Sequence, residues 1–570
     1  MWQIRKKDCI KEKSLLNKGI DKLTARLIAQ RDMINESSAL EFIECSYNNL
    51  SHPHSLSGVK EASIMFCNAI KNKETIAVFG DYDCDGIFSS VMLYELCRSL
   101  NHKCEVFLPS RLEHGYGLSK KGLQAFKEFI KEPPDLFITV DCGSNNEEEI
   151  KDLKQWGVKK IIIIDHHIVD EDKKSNSADV FINWHTSEGT EELCACGEVF
   201  QFIRGIRWLT KKVDPLEYLT YAAIGTVADV SPIKGDNRII VKHGLNEFSL
   251  SHVTASGLHA IINTSYIFTR NLTTEDVSFK IAPRINACGR ISDAKIAFNL
   301  LIEKNLVTAE LMASSLSDFN KERKTMQKDI TLNAIKKVKD NPDNYKYGIL
   351  LCDDSWHIGV VGIVASRLVE EFNVPVIIVG KHEEIFKGSG RSMEGIDLKE
   401  ILDNCKELFV SYGGHSIAAG VTLKPDVLNE ANEIFNNACK TYYSSHDISP
   451  YSDRYYDATL KPGVVSTNVA ETLLSSMYPY CKQNNPEPIF KLSDVKINGA
   501  DIKPGPGWTL IKFYAEKNQV KIPYMFKIFS TKFGADINGR QADIYFSFPQ
   551  NFDINKPSSF EINLVDMDIK

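Results

Sequence analysis

At 570 residues the chain exceeds the about 250–300 residues at which a single hydrophobic core stops growing, so several domains, roughly two to four, are expected. Its 43% apolar and 25% charged residues exclude a disordered, fibrous or membrane-embedded chain. A net charge of −7 excludes the overall basic field of a small DNA-binding domain, so any nucleic-acid contact has to be a local basic groove.

The longest apolar runs, Ile161 to Ile164 and Val374 to Gly380, fall far short of the roughly 20 residues that cross a bilayer. The opening residues, Met1 to Asp8, turn polar without the apolar stretch of a signal peptide. The 14 cysteines lack paired metal-ligand spacing; Cys194 and Cys196 form only a C-x-C. A cytoplasmic chain with reduced thiols and no membrane association is the expectation.

Strand-like runs at Thr75–Phe79, Glu105–Leu108, Leu136–Val140 and Lys160–Ile164 alternate with helical stretches. Short, continuously apolar strands separated by helices predict a parallel sheet covered on both faces. In such sheets ligands sit beyond the carboxyl ends of the strands, and three of these runs lead directly into acids: Asp81, Asp141 and Asp165. From Glu303 to Asn341 a highly charged helical stretch without Gly or Pro predicts a long helix between domains. A second, smaller α/β unit follows, with strands near Tyr347–Leu351 and Val374–Val379. From Tyr451 the character turns β-rich, as in Trp508–Tyr514 and Ala542–Phe548, which predicts a small antiparallel barrel or sandwich.

The segment Gly80-Asp81-Tyr82-Asp83-Cys84-Asp85-Gly86 puts three carboxylates on one strand-to-helix turn. A calcium loop is disfavoured because position 92, where the closing Glu would stand, is Met; a helix cap remains an alternative to a metal site. Asp165-His166-His167 sets a carboxylate and two imidazoles at a strand end. Oxygen ligands mixed with imidazole suit Mn²⁺ or Mg²⁺, and the lack of nearby cysteine pairs argues against structural zinc. Asp229, after the small-residue stretch Gly225 to Ala228, offers a further ligand, with a turn or cap as its alternative. Together Asp83, Asp85, Asp141, His166 and Asp229 could hold two ions of a phosphoesterase site.

These three strings, with Val140-Asp141-Cys142-Gly143, resemble the successive motifs of the DHH phosphoesterase superfamily. Pro283 to Arg290, Trp356 to Arg367, Lys387-Gly388-Ser389-Gly390-Arg391 and Gly413-Gly414-His415 resemble its RecJ branch, so that the likeness covers roughly residues 45 to 425. The resemblance implies a helical lead-in (1–50), a DHH catalytic domain (51–302), a connecting helix (303–345), a DHH-associated domain (346–445) and an oligonucleotide-binding-like barrel (446–570). It implies single-stranded DNA as substrate, two-metal 5′-to-3′ exonuclease activity in repair and recombination, and cooperation with a helicase and a single-strand-binding protein. The first two domains would form a ring or cleft around the strand.

By the same resemblance Asp83, Asp85, Asp141, His166 and Asp229 are the metal ligands, and Asp81, Asp165 and His167 lie in or just behind that shell, with His167 positioning the phosphate or assisting proton transfer. Ser389 and Arg391, on a glycine-flanked turn, would bind the 5′ phosphate. Arg111 and Arg290 would face the strand or its phosphate. His357 and His415 would line the cleft, or serve as packing histidines. Pro479 to Phe490 resembles the family's glycine-containing lead-in to the barrel, with both glycines replaced. Trp508, Phe513, Tyr514 and Tyr545 could stack bases or fill the barrel core. Two other readings remain: a DHH phosphodiesterase for short RNA or cyclic dinucleotides, disfavoured by the extra C-terminal residues, and a non-catalytic replication scaffold, disfavoured by the intact ligand set.

Overall fold

The structure, a computed structural model, describes all residues except 1, 33, 112, 116, 188–189, 268–270, 383, 394, 447–453, 483, 506–507, 531–536 and 553–559; at 247–248, 504–505, 508 and 530 it describes the backbone alone. The chain divides into two compact units. One comprises Met1–Asn286, Ala294–Ala313 and Arg454–Lys570; the other comprises Ala287–Asp293 and Ser314–Asp453.

In the first unit β1 (Ile76–Gly80), β2 (Cys104–Phe107), β3 (Leu136–Val140), β4 (Lys160–Ile164) and β5 (Val180–Ile182) form a sheet in the order β2-β1-β3-β4-β5. Every pairing is parallel. Residues of β1 and β3 are buried without exception, which is why these runs are apolar throughout and do not alternate. Helices α1 (Cys84–Ser99), α2 (Ala195–Thr210), α3 (Leu216–Ala228) and α4 (Gly235–Gly244) continue this unit. The 35-residue helix α5 (Leu306–Asp340) falls where the charged stretch predicts one.

The C-terminal part of the first unit is a closed barrel. Strands β11 (Phe490–Gly505), β14 (Gln541–Ser547), β15 (Glu561–Ile569), β13 (Met525–Ser530) and β12 (Trp508–Lys517) are hydrogen-bonded in that order, and β12 returns to β11. The expectation of an antiparallel barrel needs one correction: β13 and β15 are parallel. A ring with an odd number of strands cannot alternate direction all the way round, so closure forces one parallel pair. Phe513 and Tyr545 are buried, so both belong to packing, whereas Tyr514 is exposed; the Trp508 side chain and Tyr451 lie outside the described residues.

The N-terminal helices Cys9–Asn17 and Lys22–Ala29 share one hydrophobic core with this barrel: Leu15, Leu27 and Ile28 pack in the same cluster as Phe490, Phe513 and Phe546. The barrel's lead-in segment is pinned without glycines. Asn485 donates from Nδ2 to the carbonyls of Met477 and Pro479, and its Oδ1 accepts from Arg31 Nε. Cys481 and Asn485 form a bridge between the arms of the loop; Gln483 lies outside the described residues.

The second unit carries a five-stranded mixed sheet, β9 (Phe409–Gly414), β10 (Ala418–Leu423), β8 (Ile385–Arg391), β7 (Val376–His382) and β6 (Ile349–Asp353) in that order, with α6 (Val361–Phe372) packed against β7 and β8. Only β6 and β7 pair in parallel. Among the described residues no helix is long and apolar enough to cross a membrane.

Candidate metal centre

The register of the parallel sheet builds the site. Gly80 pairs with Val140, Val140 with Ile164, and Ile164 with Ile182, so four strands end flush. The next residue of each continues the ladder: the N–H of Asp81 reaches Val140 O, that of Asp141 reaches Ile164 O, and that of Asp165 reaches Ile182 O. Three acids therefore stand in one row beyond the carboxyl edge. Asp141 adopts a left-handed conformation, φ 60°, turning its side chain away from the strand's pleat.

The turn after β1 adds two more. Asp83 caps α1, its Oδ1 accepting from the N–H groups of Asp85 and Gly86, so the cap occupies one carboxylate oxygen and does not exclude a second task for the other. Position 86 has to be glycine, because a Cβ there would lie 2.5 Å from Asp81 O. Asp85 is buried, and both its oxygens are held by the first N–H groups of α2: Ala195 N to Oδ2 at 2.8 Å and Cys196 N to Oδ1 at 2.9 Å. Asp229 follows α3 as its C-cap, and its Oδ2 accepts from the Ser231 hydroxyl.

His166 Nε2 is central, 3.2 Å from Asp141 Oδ1, 3.8 Å from Asp85 Oδ2 and 3.9 Å from Asp229 Oδ1. Ligand atoms converge in three overlapping groups: Asp81, Asp83 and Asp141; Asp85, His166 and Asp229; and Asp141, His166 and His167. The electrostatics fit a site made for cations. Burial, then the neighbouring Asp83, pushes the Asp81 carboxyl up to about 8. Burial and Asp229 push Asp85 up to about 6, and burial with Asp83 and Asp85 raises Asp141 well above the usual carboxylate range. Asp81 Oδ2 is buried without a hydrogen-bond partner. Hard oxygen donors with one or two imidazoles, in two clusters that a third joins through Asp141 and His166, suit a pair of divalent cations.

Asp165 stands one layer back. Its Oδ2 accepts from Ser144 N at 2.8 Å, and its Oδ1 lies 2.7 Å from His167 Nδ1. Burial opposes ionisation of Asp165, but the adjoining His167 outweighs it and holds the carboxyl well below its usual range. Burial likewise opposes charge on His167, yet Asp165 raises the imidazole to about 9. Asn183, at the end of β5, is buried and donates to His167 O at 2.9 Å and to Ser144 Oγ at 3.1 Å. Neither β5 nor Asn183 is evident from the sequence, since a three-residue strand gives no periodic signal.

Arg111 lies over the ring of Tyr82, 5.7 Å from its centroid, which places it beside the Asp81–Asp83 turn; its neighbours Leu112 and Tyr116 lie outside the described residues. In the second unit the structure corrects the expected turn at Lys387–Arg391: these residues form the last part of strand β8. The glycines serve packing, since a Cβ at Gly388 would lie 2.3 Å from Ile378 O of β7. Ser389 and Arg391 alternate along β8 onto one face, and a Cβ at Gly362, in the first turn of α6, would be 3.2 Å from both Ser389 Oγ and Arg391 Nη2. Just upstream, Arg290 Nη1 donates to Gly359 O, and His357 Nδ1 accepts from Gly359 N. Serine, two guanidiniums and a helix N-terminus thus meet along residues 357–362, a combination suited to a phosphate. His415 is exposed in the β9–β10 hairpin, its N–H bonded to Ala418 O.

An α/β fold whose parallel sheet presents this carboxylate and histidine row is that of the DHH proteins: the DHH family, N-terminal domain, matches residues 75–226, and the DHHA1 domain matches residues 344–441. The chain is 34% identical over 448 residues to the single-stranded-DNA-specific exonuclease RecJ of Bacillus subtilis, covering 76% of this chain and 55% of the relative. It is 30% identical over 436 residues to that of Dickeya dadantii, covering 72% and 74%. The Thermus thermophilus RecJ structure in complex with Mn²⁺ superposes with a TM-score of 0.80 at 24% identity, over 100% of this chain and 79% of that one. The chain belongs to the RecJ family. It spans little more than half the length of the Bacillus subtilis relative.

Proposed function

We propose that this chain hydrolyses single-stranded DNA from its 5′ end as a divalent-metal-dependent exonuclease in repair and recombination. The observation that carries the reading is the pair of clusters, Asp81, Asp83 and Asp141 beside Asp85, His166 and Asp229, which a third group, Asp141, His166 and His167, links. Asp83, Asp85, Asp141, His166 and Asp229 would hold Mn²⁺ or Mg²⁺, with Asp81 completing one side. Two such ions supply an activated water and charge neutralisation at the leaving oxygen. With Nδ1 committed to Asp165, His167 can turn Nε2 toward a phosphate oxygen. Asp165 orients it, and Asn183 fixes its backbone.

Recognition of the 5′ phosphate falls to Ser389 and Arg391 with Arg290, on the support of the residues gathered around the first turn of α6. Arg111 is assigned to the strand near the metal pair, and His357 and His415 to the surroundings of the nucleotide. A helicase and a single-strand-binding protein as partners, and the cytoplasm as location, rest on family resemblance. The complete ligand set favours this reading over a scaffold. The test is digestion of strands labelled at either end, in Mn²⁺, with and without a 5′ phosphate: release of 5′-terminal nucleotides is the expected result, and release from the 3′ end, or none, overturns it.

A further inference from the structure

Val230 follows Asp229 directly and holds φ at +65°, the left-handed region in which a β-branched side chain is a genuine outlier. The hydrogen bonds explain the backbone. Val230 N reaches Val227 O and Ser231 N reaches Thr226 O, which is the paired closure that ends a helix at a left-handed residue, a place where glycine is the usual occupant. What this geometry does not explain is the side chain. Val230 is 57% exposed, so no core packing offsets its strain.

A second exposed aliphatic residue occupies the equivalent place after the other open ligands. Ile168 follows His166 and His167, is 55% exposed, and has its carbonyl held by Asn145 Nδ2. Asp81, Asp85 and Asp141 are buried, whereas the side chains of Asp229 and His167 keep 23% and 35% of their surface. The more exposed acid and imidazole of the metal centre are thus the residues that Val230 and Ile168 directly follow in the chain. Strain retained beside a reactive centre, with the strained side chain directed to solvent, is the pattern expected where that side chain has a ligand to meet.

We infer that Val230, with Ile168, forms an apolar rim against which the sugar and base of the nucleotide being cleaved rest while its phosphate lies on the metal centre. This rests on the nuclease reading above. A rim of this kind grips any nucleotide through its apolar faces, without hydrogen bonds that would read the base.

The test compares wild type with Val230→Gly, Val230→Asn and Val230→Ile. Glycine relieves the strained backbone, asparagine tolerates it without an apolar branch, and isoleucine keeps the branch. Affinity for a fluorescent oligothymidylate is measured with calcium in place of manganese, and Mn²⁺ affinity is measured by calorimetry. The glycine and asparagine proteins should bind the oligomer about tenfold more weakly, the isoleucine protein should bind it as wild type does, and Mn²⁺ affinity should be the same in all. Oligomer affinities equal to wild type overturn the rim, as does a loss confined to Mn²⁺ affinity, which would reassign Val230 to holding Asp229. Cleavage by wild type is scored separately: Val230-dependent binding without cleavage would sink the nuclease reading and leave the rim standing.

Discussion

The Nδ1 of His167 lies 2.7 Å from Asp165 Oδ1, and the His167 backbone N–H reaches the same oxygen. This double hold keeps a proton on Nδ1 and fixes the ring's direction. Asp165→Asn keeps the size but removes the charge that secures the N–H on Nδ1. Single-turnover cleavage should fall about 10–100-fold with an unchanged far-UV spectrum. His167→Ala should fall further, and a double variant no worse than His167→Ala alone would show that Asp165 acts through the imidazole.

Asp141→Asn removes a buried charge from among other acids. Without metal, the raised carboxyl opposes folding at neutral pH, so the variant should melt at a higher temperature than wild type in chelator. With Mn²⁺ the order should reverse. Wild type gains about 2.7 kcal/mol at a hundredfold excess over Kd, and the variant gains little. Calorimetric scans in chelator and in Mn²⁺ measure both, and cleavage by the variant should drop by about 10³-fold or more.

Arg391→Ala should impair digestion of 5′-phosphorylated strands far more than of 5′-hydroxyl strands, because a terminal phosphate offers a guanidinium more charge and more oxygens than an internal one. The loss on the phosphorylated strand should be about 10–100-fold, as for removal of a charge-assisted hydrogen bond. Equal losses on both substrates would make Arg391 a general backbone contact.

Glu487 lies in the barrel's lead-in segment with Oε1 buried and without a partner. Burial, then the neighbouring Glu275, pushes its carboxyl up to about 8 from 4.5. The folded state thus binds a proton that the unfolded state has released, and stability contributed by the neutral form declines as pH rises from about 4.5 toward 8. Glu487→Gln mimics the protonated group. It should raise the melting temperature at pH 8.5, by the equivalent of about 2 kcal/mol, and change it little near pH 4.5. A gain of equal size at both pH values would disconnect the effect from this carboxyl.

The sheet and most of its site were legible because the runs at Leu136–Val140 and Lys160–Ile164 are apolar without a break and end on acids. What the sequence could not show was contact at a distance. Asp85 is held by Ala195 and Cys196, more than a hundred positions away, through main-chain groups that carry no residue signature. Asp83 read as either cap or ligand because composition cannot divide one carboxylate's two oxygens between tasks. The Lys387–Arg391 string read as a turn because glycine signals flexibility locally, whereas in β8 it signals the close approach of β7.

Leu15, Leu27 and Ile28 share a core with Phe490 and Phe546, and Trp2 Nε1 bonds to Asp566 Oδ2 across 564 positions. On the ribosome, at about 5–20 residues per second, the first helices would wait on the order of half a minute to a minute and a half before their partners emerge. During that interval their apolar faces are exposed, and the parallel-sheet domain can form first. The barrel thus folds only after the sheet domain's residues have emerged, and lesions near residue 20 should appear as defects of residues beyond 490. Limited proteolysis of Leu27→Ala should accordingly release the C-terminal segment before the sheet domain is cut.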